Sequence, residues 1–348
     1  MKGTNLNVNI CIVGASGYSG IELVKLVHRH PNLNLSAVTS RSLANKPVED
    51  SIPYLRNQLN NLEFTPSTPK DLAKRKDLDV FILALPHGAA SEFAKPLYDA
   101  GKKVIDLSAD FRLSSPENYK LFYGVEHPCP ELLKKANYLI PELSENKTIL
   151  NSKLIACPGC YPTSVITPLY PLLEEGLIQS ENIVINAMSG ISGAGKKVSE
   201  SFIYCERNES AVAYGIPFHR HLSEIEEQLS KAAGKALIVQ FNPHLAPMKR
   251  GIVSTITVPS NCSTNQLNET LEKYFKDRPF VKILKPSEFP DSKYVVNTNR
   301  IDISARVDPR TKNAIITSSE DNLLKGASGQ AIQLLNISLG LPEETGLN

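Results

Sequence analysis

The stretch Val8–His30, VNICIVGASGYSGIELVKLVHRH, decides the fold of this chain. A short run of β-branched residues is followed by a turn with three glycines, and then by apolar residues at helical spacing. A strand, a glycine-rich turn and a helix in this order open a βαβ unit. The stretch therefore predicts a domain built on a parallel sheet.

The alternation of strand and helix continues through the first half of the chain. Three further apolar runs end in small or polar residues and are separated by segments of helix length, at 33–40, 78–86 and 102–109. Strands that alternate with helices predict a parallel sheet covered on both faces. The expected class is α/β, with a Rossmann-type domain over residues 1–156.

The pattern changes after Cys160. Longer, partly alternating apolar runs with few helices between them lie at 181–193, 235–247, 251–259 and 300–308. They predict a second domain of the α+β class over residues 157–319. Near the end, residues 320–341 have the periodicity of an amphipathic helix, with a glycine-rich start and a stop at Gly340 and Pro342.

The charge of the chain argues against several classes of partner. Lys and Arg together number 38, and Asp and Glu number 36, so no overall basic field is present to hold a nucleic acid or an anionic membrane. The first residues lack the apolar core of a secretory signal, and no later run reaches the length of a membrane span. We therefore expect a soluble cytoplasmic protein whose six scattered cysteines are reduced.

The glycines between the predicted strand and helix have the spacing GxxGxxG. Glycine lets the backbone approach a pyrophosphate closely, and the first N–H groups of a helix point at the anion. The expected cofactor-binding loop consists of Gly14, Ser16, Gly17, Tyr18, Ser19 and Gly20. A plain tight turn is the alternative, because the spacing departs from GxGxxG.

The end of the second predicted strand indicates which nicotinamide cofactor is bound. An NAD enzyme usually places Asp or Glu there to bind the ribose hydroxyls, whereas this chain has Ser40, Arg41 and Ser42. A guanidinium and two hydroxyls suit a 2′-phosphate, so the sequence favours NADP. A solvated arginine at a strand end is the alternative.

The segment IACPGCYPTS, Ile155–Ser164, holds Cys157 and Cys160. A structural zinc site would need two more ligands, which the other cysteines and histidines do not supply at matching spacing, so no metal is expected. A redox pair would need its own compact βαβ context. Because Pro162 suits the first turn of a helix, and a helix N-terminus lowers the pKa of a thiol, Cys160 is a candidate nucleophile. A merely buried cysteine is the alternative.

A thiolate that attacks a carbonyl needs an acid/base partner, and the only clustered histidines are His219 and His221. Ser223 and Glu226 follow at capping-box spacing, so an exposed loop that enters a helix is an equal interpretation. A second glycine- and serine-rich turn, at 189–197, has backbone N–H groups and lysines that suit a phosphate, with a flexible linker as the alternative.

Taken together, these segments resemble one family. IACPGCYPTS resembles the active-site motif of the N-acetyl-γ-glutamyl-phosphate reductases, which are related to aspartate-semialdehyde dehydrogenases. Seven further motifs of that family occur in its order: GASGYSGIEL, ALPHGAAS, DLSADFRL, SGISGAGKK, HRHLSEIEEQ, HLAPMKRGI and DNLLKGASGQAIQ. Two positions depart from the pattern: Cys157 stands where a residue without a thiol is more usual, and Ser164 replaces a small apolar residue.

The resemblance implies a Rossmann-type NADP-binding domain, a second domain for catalysis and oligomer contacts, and a C-terminal helix, within 320–348, that packs on the first domain. It also implies that Cys160 is the nucleophile and His219 the acid/base. Further cofactor contacts are expected from Ser189, Gly190, Gly193 and Asn322. Candidate substrate-binding residues are Arg112, Ser192, Lys196, His221 and Arg250.

The reaction implied is reduction of the acyl phosphate N-acetyl-L-glutamyl 5-phosphate to its semialdehyde, in arginine biosynthesis, by a homodimer or homotetramer. Cys160 would attack the acyl carbon, phosphate would leave, and NADPH would reduce the thioester. The alternatives are a reductase for LysW-bound aminoadipate 6-phosphate in lysine biosynthesis and a non-catalytic NADP-sensing regulatory protein.

Two expectations concern the neighbours of the thiol. A nearby thiolate should keep His219 protonated to higher pH than a histidine in water, because an anion favours the charged ring. Cys157 should capture Cys160 after oxidation, because a second thiol three residues away can condense with a sulfenic acid.

Overall fold

The computed structural model describes residues 7–59, 61–196 and 198–347, and these form two compact units. The first unit comprises the described residues up to Lys120, Val125–Cys157, and the described residues from Ala327 onward. The second comprises Leu121–Gly124 and Pro158–Gly326. Each unit contains one seven-stranded sheet.

The sheet of the first unit is parallel throughout, as predicted. Its strands are β1 (Val8–Val13), β2 (Leu33–Thr39), β3 (Phe64–Thr65), β4 (Val80–Leu83), β5 (Lys103–Asp106), β6 (Ala136–Tyr138) and β7 (Leu154–Ala156). Their order in the sheet is β3-β2-β1-β4-β5-β7-β6. The order therefore reverses between β1 and β4, which makes this pair the switch point of the sheet.

Helices cover both faces of this sheet. Those before Cys160 are α1 (Tyr18–Arg29), α2 (Val48–Ser51), α3 (Pro69–Lys74), α4 (Ala90–Asp99), α5 (Pro116–Tyr123), α6 (Pro130–Leu133) and α7 (Asn146–Asn151). Along β1, Ile10 and Ile12 belong to one buried apolar cluster and Cys11 and Val13 to another. Because successive side chains of a strand point to opposite faces, both faces are packed, and the predicted two-sided burial is confirmed.

The second unit has a mixed sheet in the order β12-β13-β14-β11-β8-β10-β9. Its strands are β8 (Ile183–Ser189), β9 (Val212–Ala213), β10 (Val239–Leu245), β11 (Ile252–Pro259), β12 (Val281–Ile283), β13 (Ile301–Val307) and β14 (Asn313–Glu320). The pairs β8–β10 and β12–β13 are parallel, and the other pairs are antiparallel. All four runs that the alternation indicated are strands.

The second unit contains more helices than the sequence pattern indicated. They are α8 (Cys160–Glu174), α9 (Tyr204–Arg207), α10 (His221–Ala233), α11 (Thr264–Tyr274) and α12 (Ser292–Val295). Twelve of the 15 residues of α8 are buried. A helix enclosed on all sides has no polar stripe, so its period of 3.6 residues is hard to recognise in the sequence.

A π-helical turn (Leu324–Ser328) leads into α13 (Gly329–Ser338), which contacts α1 and α7 in the first unit. The expected C-terminal helix on the first domain is therefore confirmed. The expectation that it is amphipathic and starts near residue 320 is wrong, because all ten residues of α13 are buried and Glu320 ends β14. The segment after α13 covers its polar residues: Asn336 Nδ2 donates to the carbonyls of Glu343 and Thr345.

In the part of the chain that the structure describes, no helix is both long enough and apolar enough to cross a membrane. Residues 1–6, which belong to the stretch considered for a secretory signal, lie outside the described residues.

Candidate active site

The glycine turn joins β1 to α1. Gly14 has a φ of +85°, and a Cβ at that position would lie 2.5 Å from the Ala84 carbonyl oxygen. At Gly20 a Cβ would lie 2.5 Å from the Gly14 carbonyl oxygen. At Gly17, the N-cap of α1, a Cβ would meet nothing closer than 3.9 Å, so glycine keeps the space above the helix start open. The turn therefore fits a pyrophosphate that approaches the backbone.

The next two residues of the turn start α1. Tyr18 is 39% exposed, and the Ser19 carbonyl accepts a hydrogen bond of 2.9 Å from Ser328 Oγ. The start of α1 is thereby tied to the residue that precedes α13.

Hydroxyl groups line the carboxyl ends of β1 and β2. Ser16 Oγ lies 2.9 Å from Ser40 Oγ, which lies 3.3 Å from Ser42 Oγ. The Arg41 side chain is 81% exposed, and one of its nitrogens lies 3.4 Å from a carboxylate oxygen of Glu92. An exposed ion pair of this kind is weak, so the guanidinium is accessible to a bound anion.

Cys160 is the first residue of α8, and Pro162 lies in its first turn, as predicted. The N-cap is Gly159, whose carbonyl accepts from both the N–H and the Oγ1 of Thr163, each at 3.0 Å. The thiol residue is partly exposed. A sulfur at the N-terminal end of a 15-residue helix experiences the positive end of the helix dipole, which favours the thiolate.

Glu224 is a residue of this site that the sequence analysis did not single out. It is completely buried in the first turn of α10, and its Oε2 accepts a hydrogen bond of 3.0 Å from the Gly159 N–H. The carboxylate thus joins the peptide that precedes the thiol to the helix that follows the histidines. One sequence signal could have identified Glu224 as a site residue. It lies three residues after His221, and residues at that spacing share a helix face.

Gly326 also was not singled out. A Cβ at this position would lie 2.7 Å from Cys160 Cβ and 2.9 Å from Glu320 Oε1, so a side chain has no room. Glu320 is completely buried. The π-helical turn therefore brings its backbone close to both the nucleophile and a buried carboxylate.

The two histidines lie among aromatic rings. The His219 ring centroid is 5.0 Å from that of His221, 5.7 Å from that of Tyr161 and 5.4 Å from those of Tyr214 and Phe241. The His221 backbone N–H donates to His219 Nδ1 at 3.1 Å, so the neutral His219 ring carries its proton on Nε2.

Burial and the charge of Arg220 lower the pKa of His219 to about 4. The expectation of a histidine that stays protonated to higher pH is therefore wrong, because removal from water and a neighbouring cation both disfavour the charged ring. The interpretation as an exposed loop that enters a helix holds in part, because Arg220 is exposed and directly precedes α10, whereas His219 is partly exposed and His221 is buried. The capping box that this interpretation assumed, between Ser223 and Glu226, is wrong. The helix α10 begins at His221, Ser223 Oγ donates to the Arg220 carbonyl at 2.8 Å, and a Glu226 oxygen accepts from the Val239 N–H at 3.1 Å.

The turn after β8 is ordered by its neighbours and is not a flexible linker. The N–H groups of Ile191 and Ser192 donate to the carbonyls of Met248 and Lys249, and a Cβ at Gly190 would lie 2.7 Å from the backbone nitrogen of Arg250. The other cofactor contacts predicted in this region are Ser189, Gly193 and Asn322. A Cβ at Gly193 would lie 2.9 Å from Ser189 Oγ.

Asn322 connects this turn to the residue that precedes β11. Its Oδ1 accepts from the Gly251 N–H at 2.8 Å, and its Nδ2 donates to Ser192 Oγ at 3.0 Å. The structure thus brings Asn322 and Ser192 together, with the amide held in one orientation.

The candidate cations have different surroundings. Arg250 is 10% exposed and forms an ion pair of 2.9 Å with the fully buried Asp321, so much of its charge is already compensated. Lys196 is exposed as a residue, and the loss of some of its hydration to neighbouring atoms lowers its pKa. Arg112 belongs to the first unit, where it is buried and donates to the Leu107 carbonyl at 2.8 Å. Lys197 lies outside the described residues.

Cys157 is fully buried in the first unit, where its N–H donates to the Asp106 carbonyl at 2.8 Å. Burial and the Asp106 charge raise its pKa far above the usual range. The expectation that Cys157 captures an oxidised Cys160 is therefore not supported, since a buried thiol held neutral is a poor nucleophile.

The other unusual residue of the motif, Ser164, is also buried. Its Oγ pairs with Ser254 Oγ at 2.8 Å and donates to the Tyr161 carbonyl. Among the described residues, no group of three or more His, Cys, Asp or Glu side chains is arranged to hold a metal ion.

Two family matches cover most of the chain. Residues 9–150 match the semialdehyde dehydrogenase, NAD binding domain, and residues 160–322 match the semialdehyde dehydrogenase, dimerisation domain. The first match indicates a nicotinamide cofactor, and the second indicates an oligomer.

Solved structures share the fold. Aspartate semialdehyde dehydrogenase II of Vibrio cholerae, complexed with ASA, has a TM-score of 0.71 at 14% identity, with 96% of this chain and 98% of that chain covered. Aspartate semialdehyde dehydrogenase of Candida albicans, with NADP, has a TM-score of 0.70 at 16% identity, with 95% and 98% covered. At such identity the likeness shows the fold alone.

Sequence relatives are much more similar. Proteins named N-acetyl-gamma-glutamyl-phosphate reductase are 44% identical in Akkermansia muciniphila and 45% identical in Geotalea daltonii, each with 98% of both chains covered. The protein of that name in Acetivibrio thermocellus is 43% identical, with 97% of both chains covered. Because identity at this level extends over nearly the full length, the chain belongs to the N-acetyl-γ-glutamyl-phosphate reductase family of oxidoreductases.

Proposed function

We propose that the protein catalyses the NADPH-dependent reduction of N-acetyl-L-glutamyl 5-phosphate to N-acetyl-L-glutamate 5-semialdehyde, with release of phosphate. The observation that carries the proposal is the partly exposed Cys160 at the N-terminus of α8, in a chain whose relatives are named for this activity. We further propose that the enzyme acts in the cytoplasm as a homodimer or homotetramer. No observation favours the aminoadipate reductase or the non-catalytic NADP sensor.

The thiol carries the covalent step. The Cys160 sulfur attacks the acyl carbon, the bond from that carbon to the phosphate oxygen breaks, and phosphate leaves with the electron pair. A thioester remains on Cys160. The N-terminal position on α8 favours the thiolate that starts the reaction and supplies a positive field for the oxyanion.

His219 is the proposed acid/base, and its tautomer supports a donor role. Because Nδ1 accepts from the His221 N–H, the ring presents Nε2–H. A donor of this kind stabilises an oxyanion on the acyl carbon, and loss of one such donor typically costs about 2.7–4 kcal/mol in the transition state. The aromatic rings of Tyr161, Tyr214 and Phe241 cover part of the His219 ring.

The glycine turn would hold the cofactor pyrophosphate, and Arg41 with Ser40 and Ser42 would hold the 2′-phosphate of NADP. The cofactor, when bound, supplies the hydride that reduces the thioester to the aldehyde. Ser189, Gly190, Gly193 and Asn322 are proposed as further cofactor contacts. The domain ranges 1–156 with 320–348, and 157–319, remain our proposal for the cofactor-binding and catalytic parts.

For the substrate we propose Ser192, Lys196, Arg112 and His221, which offer a hydroxyl, two cations and an imidazole. Arg250 is retained as a candidate whose ion pair with Asp321 limits its free charge. The ion pair also holds the backbone in place, because it ties residues 249–251 to Asp321, which follows the end of β14.

The direct test is phosphate-dependent reduction of NADP⁺ with N-acetylglutamate semialdehyde, run beside the aminoadipate analogue. We expect turnover with the former that requires inorganic phosphate or arsenate. Turnover with the aminoadipate compound alone would overturn the proposed substrate. Cofactor binding without turnover on either compound would overturn the proposed enzyme activity.

A further inference from the structure

A buried carboxylate ties together two loops of the first unit. Asp110, which follows β5, is completely buried. Its Oδ1 accepts from the Gly88 N–H at 2.6 Å, and its Oδ2 accepts from the N–H and the Oγ of Ser91 at 2.9 and 2.6 Å. One oxygen therefore binds the connection between β4 and α4, and the other binds the first turn of α4. Hydrogen bonds to a charged, buried acceptor are among the stronger ones in proteins.

Asp110 is itself held in place by the interior of the unit. Its N–H donates to Ser108 Oγ at 3.1 Å, and that hydroxyl donates to an Asp106 oxygen at 2.8 Å. The Asp110 carbonyl accepts from His127 Nε2 at 2.6 Å, and the Tyr119 hydroxyl lies 3.4 Å from Oδ1. The carboxylate is thus a fixed anchor, and the β4–α4 connection takes its shape from it.

This connection, residues 85–89, lies at the switch point of the sheet. It follows β4, which pairs with β1, and the Ala84 carbonyl oxygen would be 2.5 Å from a Cβ on Gly14. In open parallel sheets a ligand binds outside the carboxyl ends of the strands at the switch point. Gly88 has a φ of +81° with open space around it, and His87 is exposed. The connection therefore borders the crevice where the glycine turn fits a dinucleotide.

We propose that Asp110 is a positioning residue for the nicotinamide cofactor. It acts through Gly88 and Ser91 by holding residues 85–89 in the shape that the bound cofactor requires. The inference rests on the proposed function, in which the first unit binds NADPH. A purely structural role would predict something else: loss of Asp110 would reduce the folded fraction and leave the affinity of the folded protein for NADPH unchanged.

The test compares Asp110→Asn with Asp99→Asn, an exposed carboxylate at the other end of α4 that pairs with Lys95. Asparagine has the shape of aspartate but only one acceptor oxygen, so its NH2 group must face the donors of either Gly88 or Ser91 and cannot accept from them. We expect the Kd and KM for NADPH to rise about tenfold or more in Asp110→Asn, with the KM for the acyl phosphate and the kcat at saturating NADPH within about twofold. The Asp99→Asn protein should match the wild type.

A second variant keeps the inference testable if Asp110→Asn does not fold. Ser91→Ala removes one of the three donors that Gly88 and Ser91 direct at Asp110, so the Kd for NADPH should rise about two- to fivefold. An unchanged Kd in both soluble variants, or in Ser91→Ala alone if Asp110→Asn is insoluble, overturns the inference. A wild type that binds NADPH without reducing the acyl phosphate overturns the proposed function alone, because the Kd comparison still decides the role of Asp110.

Discussion

Cys157 and Cys160 are three residues apart, and their surroundings differ in burial and in charge. Cys160 starts a helix and is partly exposed, whereas Cys157 is enclosed beside the buried Asp106. We expect Cys160→Ser to abolish turnover and to leave the Kd for NADPH unchanged, because the glycine turn lies in the other unit. Cys157→Ser should retain most activity. For both variants, steady-state kinetics measure turnover and cofactor titration measures the Kd for NADPH.

The same pair of variants tests the redox interpretation. Because Cys157 is buried and neutral, Cys157→Ser should lose activity in peroxide at the wild-type rate. An inactive Cys157→Ser enzyme that still binds NADPH, or a disulfide between the two residues after peroxide treatment, would contradict this interpretation.

His219 differs from a histidine in water by its lower pKa, which burial and the charge of Arg220 bring to about 4. The pKa near 4 means that the folded protein keeps this ring neutral down to about pH 4, whereas the unfolded chain protonates it below its usual value of 6.5. Acidification through this window therefore lowers the free energy of unfolding. His219→Asn should lower turnover by about 10²–10⁴-fold and remove the acidic limb of the pH–rate curve, which we expect near pH 4.

The matched control for this variant is His221→Asn. We expect it to raise the KM for the acyl phosphate and to keep the shape of the pH–rate curve. The reverse pattern, with the limb lost only in His221→Asn, would exchange the roles of the two residues and leave the Cys160 chemistry in place.

Arg41 is the residue on which the choice of NADP depends. Its guanidinium is 81% exposed and weakly paired with Glu92, so a 2′-phosphate can replace the carboxylate as its partner. NADPH should bind ahead of NADH in the wild type, and Arg41→Ala should weaken NADPH binding by roughly 1.5–3 kcal/mol with little effect on NADH. Isothermal titration with both cofactors measures the difference. Equal affinities in the wild type would remove the argument.

At the scale of elements, a hydrogen bond from the Gly159 N–H to Glu224 joins the starts of α8 and α10. Glu224→Ala leaves that buried N–H without its acceptor, at a cost of about 1–3 kcal/mol, and frees the peptide that precedes Cys160. We expect kcat to fall roughly ten- to a hundredfold, and alkylation of Cys160 by iodoacetamide to change rate. Glu224→Gln, which keeps an acceptor oxygen, should recover most of the activity.

The control for this prediction is Glu227→Ala on the same helix, which removes an ion pair with Lys231 instead. It should retain the wild-type kcat. If Glu224→Ala turned over at the wild-type rate while folded, the bond to Gly159 would have no part in positioning the thiol.

At the scale of the whole molecule, local patterns in the sequence were sufficient for the classes of the two sheets. The parallel sheet was predictable because strands buried on both faces read as continuous apolar runs, and the glycine turn because its geometry excludes a Cβ at Gly14 and Gly20. The helical start at Cys160 followed from Pro162. The nature of the C-terminal helix was not predictable, since its polar residues are buried against a segment that comes after it.

The sequence by itself determined which chemical groups the chain carries: a thiol at a helix start, two clustered histidines, a glycine turn and an arginine after β2. Only the tertiary structure decided the state of those groups. Burial among aromatic rings lowers the pKa of His219, enclosure beside Asp106 raises the pKa of Cys157, and Asp321 compensates the charge of Arg250. These effects depend on residues that are distant in sequence, because the energy of a charge is set by the water it loses and the partners it gains on folding.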